Sequence, residues 1–216
     1  YLSAAGELKT KPTQHSVKSL QESGVFPDVL VCRTEYELTE SIRRKLALFC
    51  NVQTDSVIQS IDAATIYDVP KLMKEEQLDK VVLKKLGLSH TGEADITNWE
   101  EFVYHLNNPK YTVDIALVGK YVELKDSYKS ISESFIHTSS FSRCKVNLHW
   151  ICSEKLDADS AIESLKNMDG VLVAPGFGPR GIEGKLYAVQ YARENKIPFF
   201  GICLGMQASV IEYARN

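Results

Sequence analysis

Short apolar runs alternate with segments of helical periodicity through the second half of the chain. The predicted strands are residues 113–118, 145–151, 170–174 and 197–202. The predicted helices are residues 128–141, 161–166, 183–194 and 206–215. This repeated strand–helix order is typical of a parallel, doubly wound α/β sheet, which places its functional sites at the carboxyl ends of the strands.

The first half of the chain has a looser pattern of the same kind. It predicts helices over residues 13–23, 39–48, 70–86 and 96–107, and strands over residues 28–32 and 57–61. Asn107-Asn108-Pro109 ends the last of these helices before the second series begins. We therefore predict one partial domain over residues 1–108 and another over residues 112–216.

The composition and charge of the chain argue against several classes of protein, including nucleic-acid-binding and membrane-spanning proteins. Of 216 residues, 44% are hydrophobic and 25% charged, as in ordinary globular proteins. The formal charge of −3 gives no basic surface for nucleic acid, and no apolar run is long enough to span a bilayer. The five cysteines show no metal-ligand spacing. We expect a cytoplasmic protein with reduced thiols and with neither nucleic acid nor a membrane as a partner.

The segment from Gly201 to Gln207 is the strongest chemical signal in the chain. Cys203 follows an apolar run and precedes a helical pattern, as in a nucleophile elbow. A lone cysteine at the end of a strand is more often a core residue. The flanking Gly201 and Gly205, which allow a tight turn, favour the nucleophile instead.

A cysteine nucleophile needs a base, usually histidine. All five histidines precede Cys203, and none lies in a pattern typical of a catalytic base. We therefore expect the base to follow the last residue of this chain.

A glycine-rich turn, Pro175-Gly176-Phe177-Gly178, follows the predicted strand 170–174. On this motif alone, a loop without a ligand and a turn that binds a ligand are equally good interpretations. If strands 170–174 and 197–202 are neighbours, however, this turn and Cys203 face one pocket. Its backbone N–H groups could then stabilise an oxyanion.

Together, Gly-Phe-Gly-x-Arg-Gly and Gly-Ile-Cys-Leu-Gly-Met-Gln resemble the class I, triad-type glutamine amidotransferases. The resemblance implies that Cys203 attacks the amide of L-glutamine and releases ammonia. It implies an oxyanion hole formed by the N–H groups of Gly176 and Leu204. It places the family's His and Glu partners beyond the elbow. The glutamine pocket would be lined by Leu204, Gly205, Met206 and Gln207.

A second motif lies near the start of the chain. Glu7-Leu8-Lys9-Thr10-Lys11-Pro12-Thr13-Gln14 places lysines and hydroxyls before a helix, a composition suited to a triphosphate. On composition alone, a solvated basic loop is the more common case. The motif nevertheless resembles the pyrimidine-triphosphate loop of the CTP synthase family. Further matches follow in the family's order, in the segments 44–50, 66–70, 118–121 and 127–130.

The resemblance extends over the whole chain and implies its organisation. The chain would comprise the C-terminal part of a P-loop-like amidoligase domain, then the N-terminal half of the amidotransferase domain. The family's P-loop and Mg²⁺ ligands would precede Tyr1. An isolated polypeptide of this kind would then be inactive.

The resemblance also implies substrates and partners. The family converts UTP, ATP and glutamine to CTP, ADP, phosphate and glutamate. GTP would be an activator, acting near Arg180, and the full-length protein a homotetramer with Lys129 near the domain interface. Residues 61–63, namely Ile61, Asp62 and Ala63, would touch ATP. UTP, or CTP as inhibitor, would be bound by Lys9, Thr10, Lys11, Pro12, Thr13, Gln14 and Lys45.

One departure and two alternatives remain open. Pro175 stands where the family often has the first glycine of Pro-Gly-Gly-Phe-Gly, so Gly176 must supply the oxyanion donor on that strand end. The chain could instead be a nucleotide-binding or assembly piece without catalysis. It could also belong to another triad amidotransferase, although such an enzyme has no reason to carry the Lys9–Gln14 loop.

Overall fold

The computed structural model describes residues 7–89 and 92–216. The chain divides into two compact units, Tyr1–Glu100 and Glu101–Asn216. The division falls inside a helix rather than at the predicted boundary of residues 108–112. Trp99 donates to the Tyr67 carbonyl in the first unit, whereas the Phe102 carbonyl accepts from Ser140 in the second.

The first unit has a two-stranded parallel sheet covered by helices. Strand β1 pairs with β2, and Leu30 lies opposite Val57. Both residues are buried in a core shared with Val17, Leu46 and Cys50. The elements are α1 (Lys11–Glu22), β1 (Leu30–Thr34), α2 (Glu40–Cys50), β2 (Val57–Ile61), α3 (Val69–Glu75), α4 (Leu78–Lys85) and α5 (Thr97–Asn107), which enters the second unit.

The single helix predicted over residues 70–86 is wrong. Two helices, α3 and α4, occupy this segment and are separated at Gln77, whose φ of 57° is left-handed. A left-handed residue ends the hydrogen-bonded ladder of a right-handed helix. The break follows Glu76, whose carboxylate accepts two hydrogen bonds from Arg43 on α2.

The second unit contains a four-stranded parallel sheet in the order β4-β3-β5-β6. Its strands and helices match the predicted order, and their ends differ from the predicted ones by at most three residues. The elements are β3 (Tyr111–Gly119), α6 (Lys129–Ser142), β4 (Cys144–Cys152), α7 (Ala158–Leu165), β5 (Gly170–Val173), α8 (Ile182–Glu194), β6 (Phe199–Gly201) and α9 (Leu204–Arg215).

Helices cover both faces of this sheet, as the doubly wound pattern predicts. Ala116 and Val118 of β3 face a core formed with α7, α8 and α9. Leu117 between them belongs to a second core with partly buried residues of α6. Because side chains alternate along a strand, one apolar strand supplies both cores. The carboxyl ends of β3, β5 and β6 consequently lie side by side.

Candidate active site

Cys203 occupies the turn between β6 and α9. It is exposed, and its backbone has φ 51° and ψ −107°. Such values are costly for a residue with a side chain and cluster at functional sites. The predicted elbow is therefore present in the backbone, and the thiol lies at the beginning of a helix.

Two close backbone contacts define this turn. A Cβ on Gly201 would lie 2.5 Å from the Gly205 carbonyl carbon, and a Cβ on Gly205 would lie 2.1 Å from the Val173 carbonyl oxygen. The Ile202 N–H also donates to the Val173 carbonyl at 3.0 Å. The glycines therefore let α9 begin directly against the end of β5.

The glycine-rich turn lies at the end of the neighbouring strand. Val173 of β5 pairs with Gly201 of β6, so residues 174–178 and the elbow leave adjacent strands. Gly176 has a φ of +139°, a conformation open mainly to glycine. Leu204 is the first residue of α9, where amides have no acceptor within the helix. The two predicted oxyanion donors thus belong to neighbouring segments.

Two lysine side chains hold the glycine-rich turn. Lys120, which follows β3, donates to the Phe177 carbonyl. Lys185, on α8, is fully buried and donates to the Ala174 carbonyl at 2.7 Å. The sequence analysis did not select Lys185. Its spacing from Ala188, Val189 and Ala192 nevertheless places it on the buried face of α8.

The residues predicted to line the glutamine pocket differ in their exposure to solvent. Gly205 is buried, Leu204 is half-buried, and Met206 and Gln207 are exposed. Within residues 7–89 and 92–216, no side chain donates a hydrogen bond to the Cys203 thiol. His149 interacts instead with Asp114, at 2.6 Å.

In the first unit, a cavity of about 480 Å³ opens where α1 begins and β1 ends. Of the residues predicted to bind UTP, four line it: Lys9, Thr10, Pro12 and Thr13. The Thr10 side chain does not cap α1, so the N–H groups at the beginning of that helix do not donate to its hydroxyl oxygen. A positive loop and a helix N-terminus together favour an anionic ligand.

Three other predicted residues are not in the cavity wall. Gln14 supports the loop, because its side chain donates to the Thr10 hydroxyl at 3.0 Å. Lys11 and Lys45 are exposed. The bond from Lys9, with a weaker contribution from the charge of Lys45, lowers the pKa of Glu7. The sequence analysis missed Arg33 and Thr34, which line the cavity at the end of β1.

A second cavity of about 430 Å³ contains the residues predicted to touch ATP. Ile61, Asp62 and Ala63 all line it. Asp62 and Arg33 line both cavities, and the Arg33 guanidinium donates to Asp62 at 3.1 Å. The carboxyl ends of β1 and β2 therefore lie between two cavities in the same unit.

The described residues do not form a metal centre. Searched over residues 7–89 and 92–216, no group of three or more His, Cys, Asp or Glu side chains could hold a metal ion. The Asp62 carboxylate pairs with Arg33. Within the same residues, no helix is both long and apolar enough to cross a membrane.

Comparison with known proteins agrees with both sequence motifs. Residues 1–88 match the family described as CTP synthase N-terminus, and residues 123–216 match class I glutamine amidotransferase. The CTP synthases of Flavobacterium psychrophilum and Flavobacterium johnsoniae are 66% and 64% identical over the whole chain. The chain spans 40% of the length of each.

A solved structure described as the glutaminase domain of Trypanosoma brucei CTPS with bound acivicin also matches. It is 44% identical and covers 48% of this chain and 41% of its own, with a TM-score of 0.46. The two family models match both parts of the chain, and the two Flavobacterium CTP synthases align with all of its residues, so the chain belongs to the CTP synthase family.

Proposed function

We propose that the chain contributes to the glutamine-dependent amination of UTP to CTP. Its second unit supplies the nucleophile that releases ammonia from glutamine. Its first unit supplies part of the site where ATP activates UTP. The observation that carries the proposal is the exposed Cys203 in an elbow with positive φ, beside a glycine turn.

The ammonia-releasing step follows from this geometry. The Cys203 thiolate attacks the side-chain amide carbon of glutamine, and the carbonyl oxygen becomes an oxyanion. The N–H groups of Gly176 and Leu204 stabilise that charge. As the oxyanion collapses, the C–N bond breaks and the amide nitrogen takes up a proton, assigned to the histidine that family membership implies, and leaves as ammonia. Water then hydrolyses the remaining thioester to glutamate and frees the Cys203 sulfur. Pro175 cannot donate, so Gly176 is the donor from this strand end.

The test of this step is glutamate release by the complete product of the gene that encodes this chain. The Cys203→Ala variant should lose glutamine hydrolysis, whereas Cys152→Ala, a change at a half-buried thiol in the same unit, should retain it. Undiminished hydrolysis by Cys203→Ala would refute the assignment.

In the first unit, the 480 Å³ cavity is proposed to bind the triphosphate of UTP, or of CTP as inhibitor. Lys9 supplies charge, Thr10 and Thr13 supply hydroxyls, and α1 supplies backbone donors. Two exposed lysines outside the cavity wall, Lys11 and Lys45, would contribute positive charge at its edge. Gln14 would contribute indirectly, by supporting the loop at Thr10. ATP is assigned to the cavity lined by Ile61, Asp62 and Ala63, with Arg33 and Asp62 between the two nucleotides.

A matched pair of lysines on the same segment tests the UTP site. Lys9→Ala should raise the KM for UTP about tenfold, because a charge-assisted bond to phosphate is lost. Lys18→Ala removes an exposed charge from α1, the helix that follows Lys9, where Lys18 pairs with Glu22 at 4.0 Å. This control should leave KM unchanged. Equal effects of both changes would exclude a specific contact from Lys9.

The other expected partners remain part of the proposal. A P-loop-like amidoligase fold, GTP activation near Arg180 and assembly into tetramers follow from family membership. Arg180 packs 5.8 Å from the centre of the Tyr121 ring and pairs with Glu154 at 3.3 Å. Mg²⁺ accompanies ATP in this family, but the described residues do not form its site, so no step is assigned to it.

A further inference from the structure

Lys185 carries a charge that lacks a counter-ion. Its side chain is fully buried, and its hydrogen bond to the Ala174 carbonyl satisfies one of the three ammonium protons. Among residues 7–89 and 92–216, no carboxylate lies within ion-pair distance of it. An unpaired buried charge is expensive, and buried charges are normally paired. The arrangement therefore indicates an anion that is present only in a particular state of the site.

The groups that act on Lys185 identify this anion. Burial first, and then the charge of Lys120, lower the pKa of Lys185 to about 8, whereas Cys203 acts in the opposite direction. Lys120 also contacts this glycine-rich turn, because its ammonium group donates to the Phe177 carbonyl. The buried carboxylate of α9, Glu212, is paired with Arg193 at 2.7 Å. Ile202, next to Cys203, donates to the Val173 carbonyl, and Lys185 donates to the carbonyl of the following residue, Ala174. The Cys203 thiol is therefore a group near Lys185 that can become negative.

The same hydrogen bond fixes the oxyanion turn. Ala174 is fully buried, and its carbonyl belongs to the peptide bond that precedes Pro175. The next peptide along the chain carries the Gly176 N–H. The hydrogen bond from Lys185 holds the Ala174 carbonyl in place. It therefore limits the orientation of the Gly176 N–H group, which is proposed to donate to the oxyanion.

We propose that Lys185 is a positioning residue whose buried ammonium group anchors the oxyanion turn at Ala174 and is the counter-ion of the Cys203 thiolate. The role rests on the proposed glutaminase function, because it concerns the same nucleophile. It requires no additional reactant. The thiolate keeps its electron pair for attack, and the ammonium retains its proton.

Alkylation of Cys203 tests the role without requiring glutamine turnover. The complete gene product is treated at pH 7 with iodoacetate, an anion, and with iodoacetamide, which is neutral. The Cys203 peptide is then quantified by mass spectrometry. Lys185→Gln keeps a donor for Ala174 but removes the charge, and Lys185→Met removes both. Lys166→Met, at an exposed lysine paired with Glu163, is the control.

Both Lys185 variants should slow alkylation by iodoacetate about tenfold, because the thiolate loses a neighbouring positive charge. The ratio of the iodoacetate rate to the iodoacetamide rate should also fall, because an ammonium group attracts the anionic reagent more strongly. A purely structural lysine would not change this ratio in Lys185→Gln. An unchanged ratio in a folded variant would overturn the proposal, as would an equal fall in Lys166→Met.

A measurement on the unaltered protein covers the case in which neither variant folds. The iodoacetate-to-iodoacetamide ratio at Cys203 should be several-fold higher in the native protein than in urea, and equal ratios would overturn the proposal. Glutamate release separates the two hypotheses. If the unaltered protein fails to hydrolyse glutamine while alkylation depends on Lys185, the proposed function fails and the ion pair stands. If the unaltered protein hydrolyses glutamine but alkylation does not depend on Lys185, the proposed function stands and the ion pair fails.

Discussion

At the scale of single residues, Cys203 is held in a costly backbone conformation by contacts of its neighbours. Gly201 and Gly205 allow α9 to approach β5, and the Ile202 N–H bonds to β5. The positive φ of Cys203 follows from this close packing. The nucleophile is therefore oriented by the backbone around it.

Replacement of Gly205 by alanine should damage this arrangement. The added Cβ would meet the Val173 carbonyl oxygen at 2.1 Å, so α9 must move away from β5. We expect a loss of about 3 kcal/mol in the free energy of unfolding, as for overpacked cores. Urea titration measures it. Val210→Ala, at an exposed position of the same helix, should change stability by less than about 0.5 kcal/mol. Equal stability of the two variants would contradict the contact.

Lys185 should make stability depend on alkaline pH. Burial lowers its pKa to about 8 from an ordinary value of 10.5, which the unfolded chain regains. Between these values the unfolded state binds more protons, so stability rises with pH. The slope attributable to Lys185 is at most about 1.4 kcal/mol per pH unit. Subtracting the profile of Lys185→Met isolates it from other groups that titrate there. Parallel profiles would show that Lys185 keeps its ordinary pKa.

At the scale of elements, one carboxylate ties three of them together in the first unit. Glu76 follows α3, accepts from both terminal nitrogens of Arg43 on α2, and accepts the Gln59 N–H of β2 at 2.8 Å. Both charged side chains are one-fifth exposed. Burial alone would raise the pKa of Glu76, but the bonds from Arg43 and Gln59 outweigh it and lower that pKa.

Glu76→Gln should therefore destabilise the first unit. Loss of charge-assisted bonds in a half-buried site should reduce the free energy of unfolding by about 2 kcal/mol near neutral pH. Because the folded pKa is depressed, the difference from the unaltered protein should shrink as pH falls through the acidic range. Denaturant titrations at pH 7 and pH 4 measure this. Glu75→Gln, an exposed neighbour, should have little effect at either pH. A difference that is independent of pH would contradict the ion pair.

The elements were largely predictable, whereas certain side-chain environments were not. Apolar periodicity located every strand and most helices, because one buried face per element decides the fold. It could not locate the break at Gln77, whose backbone is left-handed and which directly follows Glu76, the residue bonded to Arg43. It also could not predict the burial of Lys185. Lysine is usually exposed, and the hydrogen-bond partner of this one is the backbone carbonyl of Ala174, eleven residues earlier.

At the scale of the whole molecule, the two units divide the proposed chemistry. The first contains two cavities at the ends of β1 and β2, to which the proposal assigns UTP and ATP. The second contains the elbow and the oxyanion turn at the ends of β5 and β6. Both use the carboxyl edge of a parallel sheet, where loops and helix N-termini gather. Ammonia is the reactant that would connect them.

The most direct test of this account compares two nitrogen sources in the complete gene product. CTP formation from UTP and ATP is measured with glutamine and, separately, with ammonium chloride, for the unaltered protein and for Cys203→Ala. The account predicts that Cys203→Ala loses CTP formation from glutamine and keeps it with ammonium. Loss of both activities in a folded variant, or retention of the glutamine-dependent one, would contradict the assignment of Cys203 as the nucleophile that releases ammonia.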